Sequence, residues 1–240
     1  MSAEVSGWLA QALATDSPVL PTAGAMQVWL HLGWSVVLAW LGTSLMVKLL
    51  AGRVRAVQGQ WVIALALAAW AWVPGSAGAA YWLGLAFQAP SLGSVALCAL
   101  LLGRRLPLTG GTQTPLVGPG VPQAADRMAV VLAALGGLVG WLLLLDSFAV
   151  LPLQLYAWGF SPAALGLVVL AALLPWVVVG HLAWSGQRLM GGVVPFSALV
   201  FVVWRLPTGN VWDALLDPWL WLVSQGWLAR HGWNSYKNNS

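Results

Sequence analysis

His31 and His181 are the first residues to weigh for chemistry, because an imidazole within an apolar run can serve as an axial ligand to haem. Two histidines that share one haem must lie at the same depth. With the amino terminus outside, His31 falls near the outer end of its apolar run and His181 near the inner end of its own. At about 1.5 Å per residue across a core of about 30 Å, they stand well over 10 Å apart along the membrane normal. The spacing predicts no shared haem. It leaves each histidine as a hydrogen-bonding group toward a neighbouring helix or headgroup water. His231 belongs to the polar tail.

A second set could line a polar path. Gln88 and Pro90 interrupt the third apolar run and Pro175 the fifth, and a mid-helix proline frees a carbonyl that can face a cavity. Asp146 is the one acid within the first six apolar runs, where acids mark proton and ion paths. It follows Leu142–Leu145 near the outer interface. There it is expected to be wet or to cap the connector that follows. Asp213 and Asp217, four apart, would share one side of a helix start, as solvated carboxylates or a cation-binding pair.

The chain holds 18 tryptophans. Trp29, Trp61, Trp82, Trp184, Trp204 and Trp233 fall at the ends of apolar runs, where indoles anchor helices in the headgroup region. Trp34, Trp40, Trp70, Trp72 and Trp141 lie deeper and could pack against a pigment, a quinone or a partner helix. Ala129, Ala133, Gly136, Gly137 and Gly140 give overlapping small-xxx-small spacing, which lets two helices approach closely. That marks the fourth run as the central helix of a bundle or a docking face for another subunit. The glycines of the long loop precede no Lys-Ser/Thr, and neither HExxH nor GxSxG occurs. Cys98 reads as a small buried hydrophobe. No cofactor is required by these residues; contact with lipid, quinone or pigment is compatible with them.

The elements that position these residues follow from composition. Sixty per cent of the 240 residues are hydrophobic and 7% charged, against about a quarter charged in a soluble domain. Six acids and ten bases cannot make a water-facing surface for a chain this long, so lipid must be the solvent for most side chains. The net charge of +4 is topological, because no basic cluster with interleaved aromatics points to nucleic acid.

The sequence therefore predicts an all-α, polytopic transmembrane helix bundle of six or seven spans. Residues 1–25 form an exposed segment with a short interfacial helix. Residues 26–204 form six spans: 26–50, 58–73, 79–103, 128–145, 162–184 and 189–204. The longest loop, 104–126, is cytoplasmic. Residues 205–240 hold a seventh span or an interfacial amphipathic helix, started at Asn210, and a polar tail. No Lys or Arg precedes Lys48, so the basic region of a secretory signal is missing and the first span is expected to be retained. Placing the amino terminus outside puts Arg53, Arg55, Arg104, Arg105, Arg127 and Arg188 inside, as the positive-inside rule asks.

Two classes of function compete. One is a non-catalytic subunit, structural or accessory, of a larger bacterial inner-membrane complex such as an energy-transducing one, with other membrane subunits as partners. The alternative is a small solute or ion transporter whose path is lined by broken third and fifth spans. A haem-, quinone- or pigment-binding protein using His31 or His181 ranks behind both.

Overall fold

The computed structural model describes residue 14 and residues 18–49, 57–106, 122–151, 153–179 and 192–239. The expected interfacial helix near Trp8, most of the loop 104–126, and His181 lie outside them. Among the described residues the chain is all-helical: α1 (Ala23–Leu49), α2 (Val57–Ala71), a 3-10 turn (Gly75–Ala77), α3 (Ala79–Phe87), α4 (Leu92–Arg105), α5 (Pro122–Ser147), α6 (Leu155–Trp158), α7 (Pro162–Val179), α8 (Val193–Trp204), α9 (Val211–Leu215) and α10 (Pro218–Asn239).

Two stretches are long and apolar enough to cross a membrane, Ala23–Val47 within α1 and Ala129–Ser147 within α5. Among the described residues these are the two stretches that pass on length and composition, so the six or seven spans expected from hydropathy are not confirmed, for physical reasons. The third run is cut into α3 and α4, because the residue before a proline is pushed out of the helical region and Ser91 restarts the helix as its N-cap. The last run is likewise cut at Leu216–Asp217, before Pro218, rather than running whole from 211 to 229. By contrast, α7 continues unbroken past Pro175, so the second expected interruption does not occur there. Helix α5 begins at Pro122, inside the expected loop, since proline suits a first helical turn.

Helix α1 is the hub. It packs along α2 and against α3 and α4, while α4 also touches α8 and α9. The main core gathers Leu92 and Val95 of α4, Ala164 and Val168 of α7, Ala198 and Phe201 of α8, and Val211 and Ala214 of α9 around Trp29. Ala71 and Ala80 let α2 and α3 close on Trp34. Among the described residues helix α5 is peripheral rather than central, against the first of the two readings of its small residues and not against the second: only 6% of its spanning window is buried, and its main neighbour is α10.

Candidate functional site

One polar place in the described interior is the break between α3 and α4. Gln88 adopts φ 61° and ψ −162°, a conformation that L-residues avoid, and its amide still bonds back to the Gly84 carbonyl at 3.0 Å. The carbonyls freed by the break are taken up by two indoles of α1. Trp34 Nε1 donates to the Gln88 carbonyl at 2.9 Å, and Trp29 Nε1 donates to the Pro90 carbonyl at 2.9 Å. Both tryptophans are buried. Gly33 lies between the two α1 turns that carry them; a Cβ there would come within 2.7 Å of the Pro90 ring. Only a glycine lets α1 approach the break this closely.

The other side of the break is closed by the start of α10. Asp217 Oδ2 accepts from the Ser91 amide at 2.9 Å, and its Oδ1 accepts from the Leu220 amide at 2.7 Å. One carboxylate thus caps α10 and satisfies the break 126 residues earlier. The Ser91 hydroxyl accepts from Ser94 N at 3.0 Å. Phe87 and Trp219 meet edge-on at 4.9 Å beside it.

A second polar cluster ties the connector before α7 to the segment before α9. Asp146 Oδ2 accepts from the Tyr156 amide at 2.9 Å, which makes it a cap of the connector. Asp213 Oδ2 accepts from the Tyr156 hydroxyl at 2.8 Å and from Thr208 Oγ1 at 2.6 Å. Asn210 is fully buried; it caps α9 through Trp212 N at 3.0 Å and donates to the Tyr156 carbonyl at 2.9 Å. Trp212 Nε1 donates to the Leu155 carbonyl at 2.8 Å. Asp213 and Asp217 therefore work on separate helices, each with its own donors, and do not form the expected pair on one helix face.

Burial first, then the Asp213 charge and hydrogen bond, push the Tyr156 hydroxyl above its ordinary pKa of 10.0. The folded state therefore holds this proton more tightly than the unfolded chain. Its contribution to stability is whole below pH 10 and declines as pH rises from there toward the folded value. Thermal melting of the purified protein should show an alkaline loss of stability that is flatter in Tyr156→Phe. An unchanged alkaline slope in that variant would disprove the coupling.

The small-residue face of α5 is occupied by α10. A Cβ on Gly140 would enter the Trp221 ring, and one on Gly137 would strike Gln225 Nε2; Trp221 Nε1 also donates to the Gly137 carbonyl at 3.2 Å. Gly136 is looser, with Leu216 as its nearest neighbour at 3.7 Å. Ala129 and Ala133 are half-buried on the same helix. Gly140→Leu should separate the two helices and cost about 1–3 kcal/mol, the usual range for overpacking. Gly136→Leu should be milder. Equal melting temperatures for Gly140→Leu and the parent would show that the contact contributes nothing.

The remaining sequence candidates do not converge on this break. The Gln88 side chain is exposed on the outside of the bundle, while Pro90 is buried. Pro175 falls within α7 and His181 outside the described residues. His31 lies elsewhere, in an open cleft of about 320 Å³ lined by Gln27, Leu30, Val73, Tyr81 and Leu85 among others. Its Nδ1 is 2.8 Å from the Gln27 carbonyl, which can only accept, so that nitrogen is the donor. The ring lies 5.3 Å from that of Trp72. No group of three His, Cys, Asp or Glu that could hold a metal occurs among the described residues.

Sequence reasoning missed Asp217 as a bridge and Trp29 and Trp34 as donors. The available signal was the count of indole N–H groups in a chain whose helices are broken by proline. Trp70 and Trp82 repeat the pattern, donating to the Ala77 and Ser76 carbonyls around the 3-10 turn at 2.9 and 2.8 Å. Trp40 is the exception: its Nε1 is buried with no hydrogen-bond partner among the described residues.

Comparison with protein-family models, with curated proteins and with solved structures found no match.

Proposed function

We propose that this chain is a multi-pass membrane protein acting as a non-catalytic subunit of a larger bacterial inner-membrane assembly, with its amino terminus outside. The observation that carries the reading is the use made of its interior polar groups. At both breaks, carbonyls, amides and carboxylates bond to one another and to indoles, rather than converging on a common point where a substrate could bind. A catalytic or transport site needs groups gathered within a few ångströms of the reacting atoms. In lipid, backbone groups left by a broken helix must be satisfied internally, which gives these contacts a structural reason to exist.

The exterior supports the same reading. Val131, Leu135, Leu138 and Trp141 project from α5 with half or nearly half of their surface exposed, a face suited to lipid or to another apolar helix. The packing of Trp221 and Gln225 of α10 on Gly140 and Gly137 of α5 favours α10 as part of the bundle over a helix lying flat in the interface. The hydrogen bonds between the 146–161 connector and the 205–213 segment fit a topology in which both lie on the outer side.

Purification in mild detergent, followed by identification of whatever accompanies the chain, tests the proposal. Stoichiometric partner subunits are the expected result. A monodisperse homo-oligomer without partners would favour a transporter, and a visible chromophore would favour a redox role; either outcome overturns the subunit reading.

A further inference from the structure

The cleft beside His31 gathers polar side chains that neither helix break uses. Gln27, Leu30 and His31 of α1 form one wall, Val73 beyond α2 another, and Tyr81 and Leu85 of α3 a third, around about 320 Å³. These walls are tied together by contacts independent of any ligand. Trp70 and Trp82 hold the 3-10 turn through the Ala77 and Ser76 carbonyls, and Gly75 of that turn rims the cleft. Gly84 lets α3 close on α1, because a Cβ there would lie 3.1 Å from the Leu30 side chain. The cleft is therefore preformed, as ligand sites usually are.

Its chemistry is that of a site for a neutral ring. No Asp, Glu, Lys or Arg lines it. The His31 ring is held on one side by the bond from Nδ1 to the Gln27 carbonyl and lies 5.3 Å from the Trp72 ring. Neither Nε2 of His31 nor the Tyr81 hydroxyl has a hydrogen-bond partner among the described residues. A neutral imidazole offers Nε2 as an acceptor and a protonated one offers it as a donor, while the phenol can donate. Leu30, Val73 and Leu85 supply apolar wall. Tyr81 and Leu85 are exposed, so the mouth opens on the outside of the bundle. His31 stands eight residues into α1, about 12 Å from its start and in the outer third of the crossing Ala23–Val47.

We propose that this cleft binds the headgroup of a membrane quinone. The proposal rests on the membrane part of the reading above, since the ligand enters from lipid. Nε2 of His31 bonds one ring oxygen, accepting from a quinol hydroxyl or donating to a quinone carbonyl. The Tyr81 hydroxyl donates to ligand oxygen, and the isoprenoid tail leaves past Leu85. A volume at the small end of ligand pockets suits a single-ring headgroup. The absence of formal charge among the acidic and basic residues disfavours a phosphate. No redox step is assigned to this chain.

The test titrates the full chain, in phosphatidylcholine nanodiscs, with decylubiquinone and follows tryptophan fluorescence, for which Trp72 is the nearby reporter. The parent should show a saturable quenching component above the linear quenching that dissolved quinone causes. His31→Phe and Tyr81→Phe should each weaken the saturable component by roughly two- to tenfold, the loss of one hydrogen bond. Tyr81→Phe removes a single exposed oxygen, so it carries the test if His31→Phe fails to fold. Tyr236→Phe, in the exposed tail of α10, should bind like the parent. No saturable component in the parent, or unchanged affinity in Tyr81→Phe and in folded His31→Phe, overturns the site. Alkaline carbonate extraction of native membranes separates the two failures. A chain that washes out contradicts the membrane reading itself, whereas a chain that stays without saturable binding contradicts only the quinone site.

Discussion

Replacing Asp217 with alanine is expected to be the most damaging single change among the described residues. Its two oxygens satisfy the Ser91 amide at the α3–α4 break and the Leu220 amide at the start of α10. Alanine removes both acceptors at once. A lost N-cap costs about 0.5–2 kcal/mol and an orphaned buried donor about 1–3 kcal/mol, so a loss of about 2–4 kcal/mol follows. For a chain of this size that is a fall in melting temperature of roughly 5–15 °C. An asparagine side chain keeps one acceptor oxygen, so Asp217→Asn should recover part of the loss. Thermal unfolding of the purified proteins in one detergent checks both. A melting temperature for Asp217→Ala within a degree or so of the parent would show that the break does not depend on α10.

Removing the two indole donors together should produce an effect of comparable size. Trp29→Phe orphans the Pro90 carbonyl and Trp34→Phe the Gln88 carbonyl, each in a buried or part-buried setting. Phenylalanine keeps most of the apolar ring, so the loss comes chiefly from the missing N–H. Each change should cost about 1–3 kcal/mol. Because both act on one break, the double variant should depart from the sum of the singles, as contacting residues do. Trp204→Phe is the matched control: Trp204 is 59% exposed at the end of α8, and surface substitutions of this kind fall within about 0.5 kcal/mol. If the double variant melts like Trp204→Phe, the indoles are ordinary belt residues and the hydrogen bonds are incidental.

These two results mark where sequence reasoning succeeds and where it stops. Helices are legible because the apolar runs are long, and Asn210 is legible as a cap because capping is local. The interruption by Pro90 is legible for the same reason: the constraint acts on the residue next to it. The partners of the break are not legible. Trp34 reaches a carbonyl 54 residues away and Asp217 an amide 126 residues away, and nothing local distinguishes Trp29 from a headgroup anchor. The small-residue stripe announces a close approach but not its partner, so one of its two readings makes α5 central where the described residues place it at the periphery. Pro175 shows the opposite limit, since a proline within an apolar helix does not by itself decide whether the helix stops. His31 and Asp146 are polar residues in apolar surroundings, and sequence offers no way to see that one lines an outer cleft and the other caps Tyr156.

The central claim is that the α3–α4 break is sealed structure and not a path for solute. Ser91 lies at that break and is fully buried. A Ser91→Cys variant in a Cys98→Ala background, reconstituted in liposomes, can be challenged with a water-soluble thiol reagent from each side. Ser76→Cys, in the exposed 3-10 turn, serves as the reactive control. A sealed break predicts no labelling of the native Ser91→Cys protein from either side, with full labelling once SDS unfolds it. Labelling of native Ser91→Cys at a rate close to that of Ser76→Cys would contradict the account and establish a water-accessible path through the broken helix.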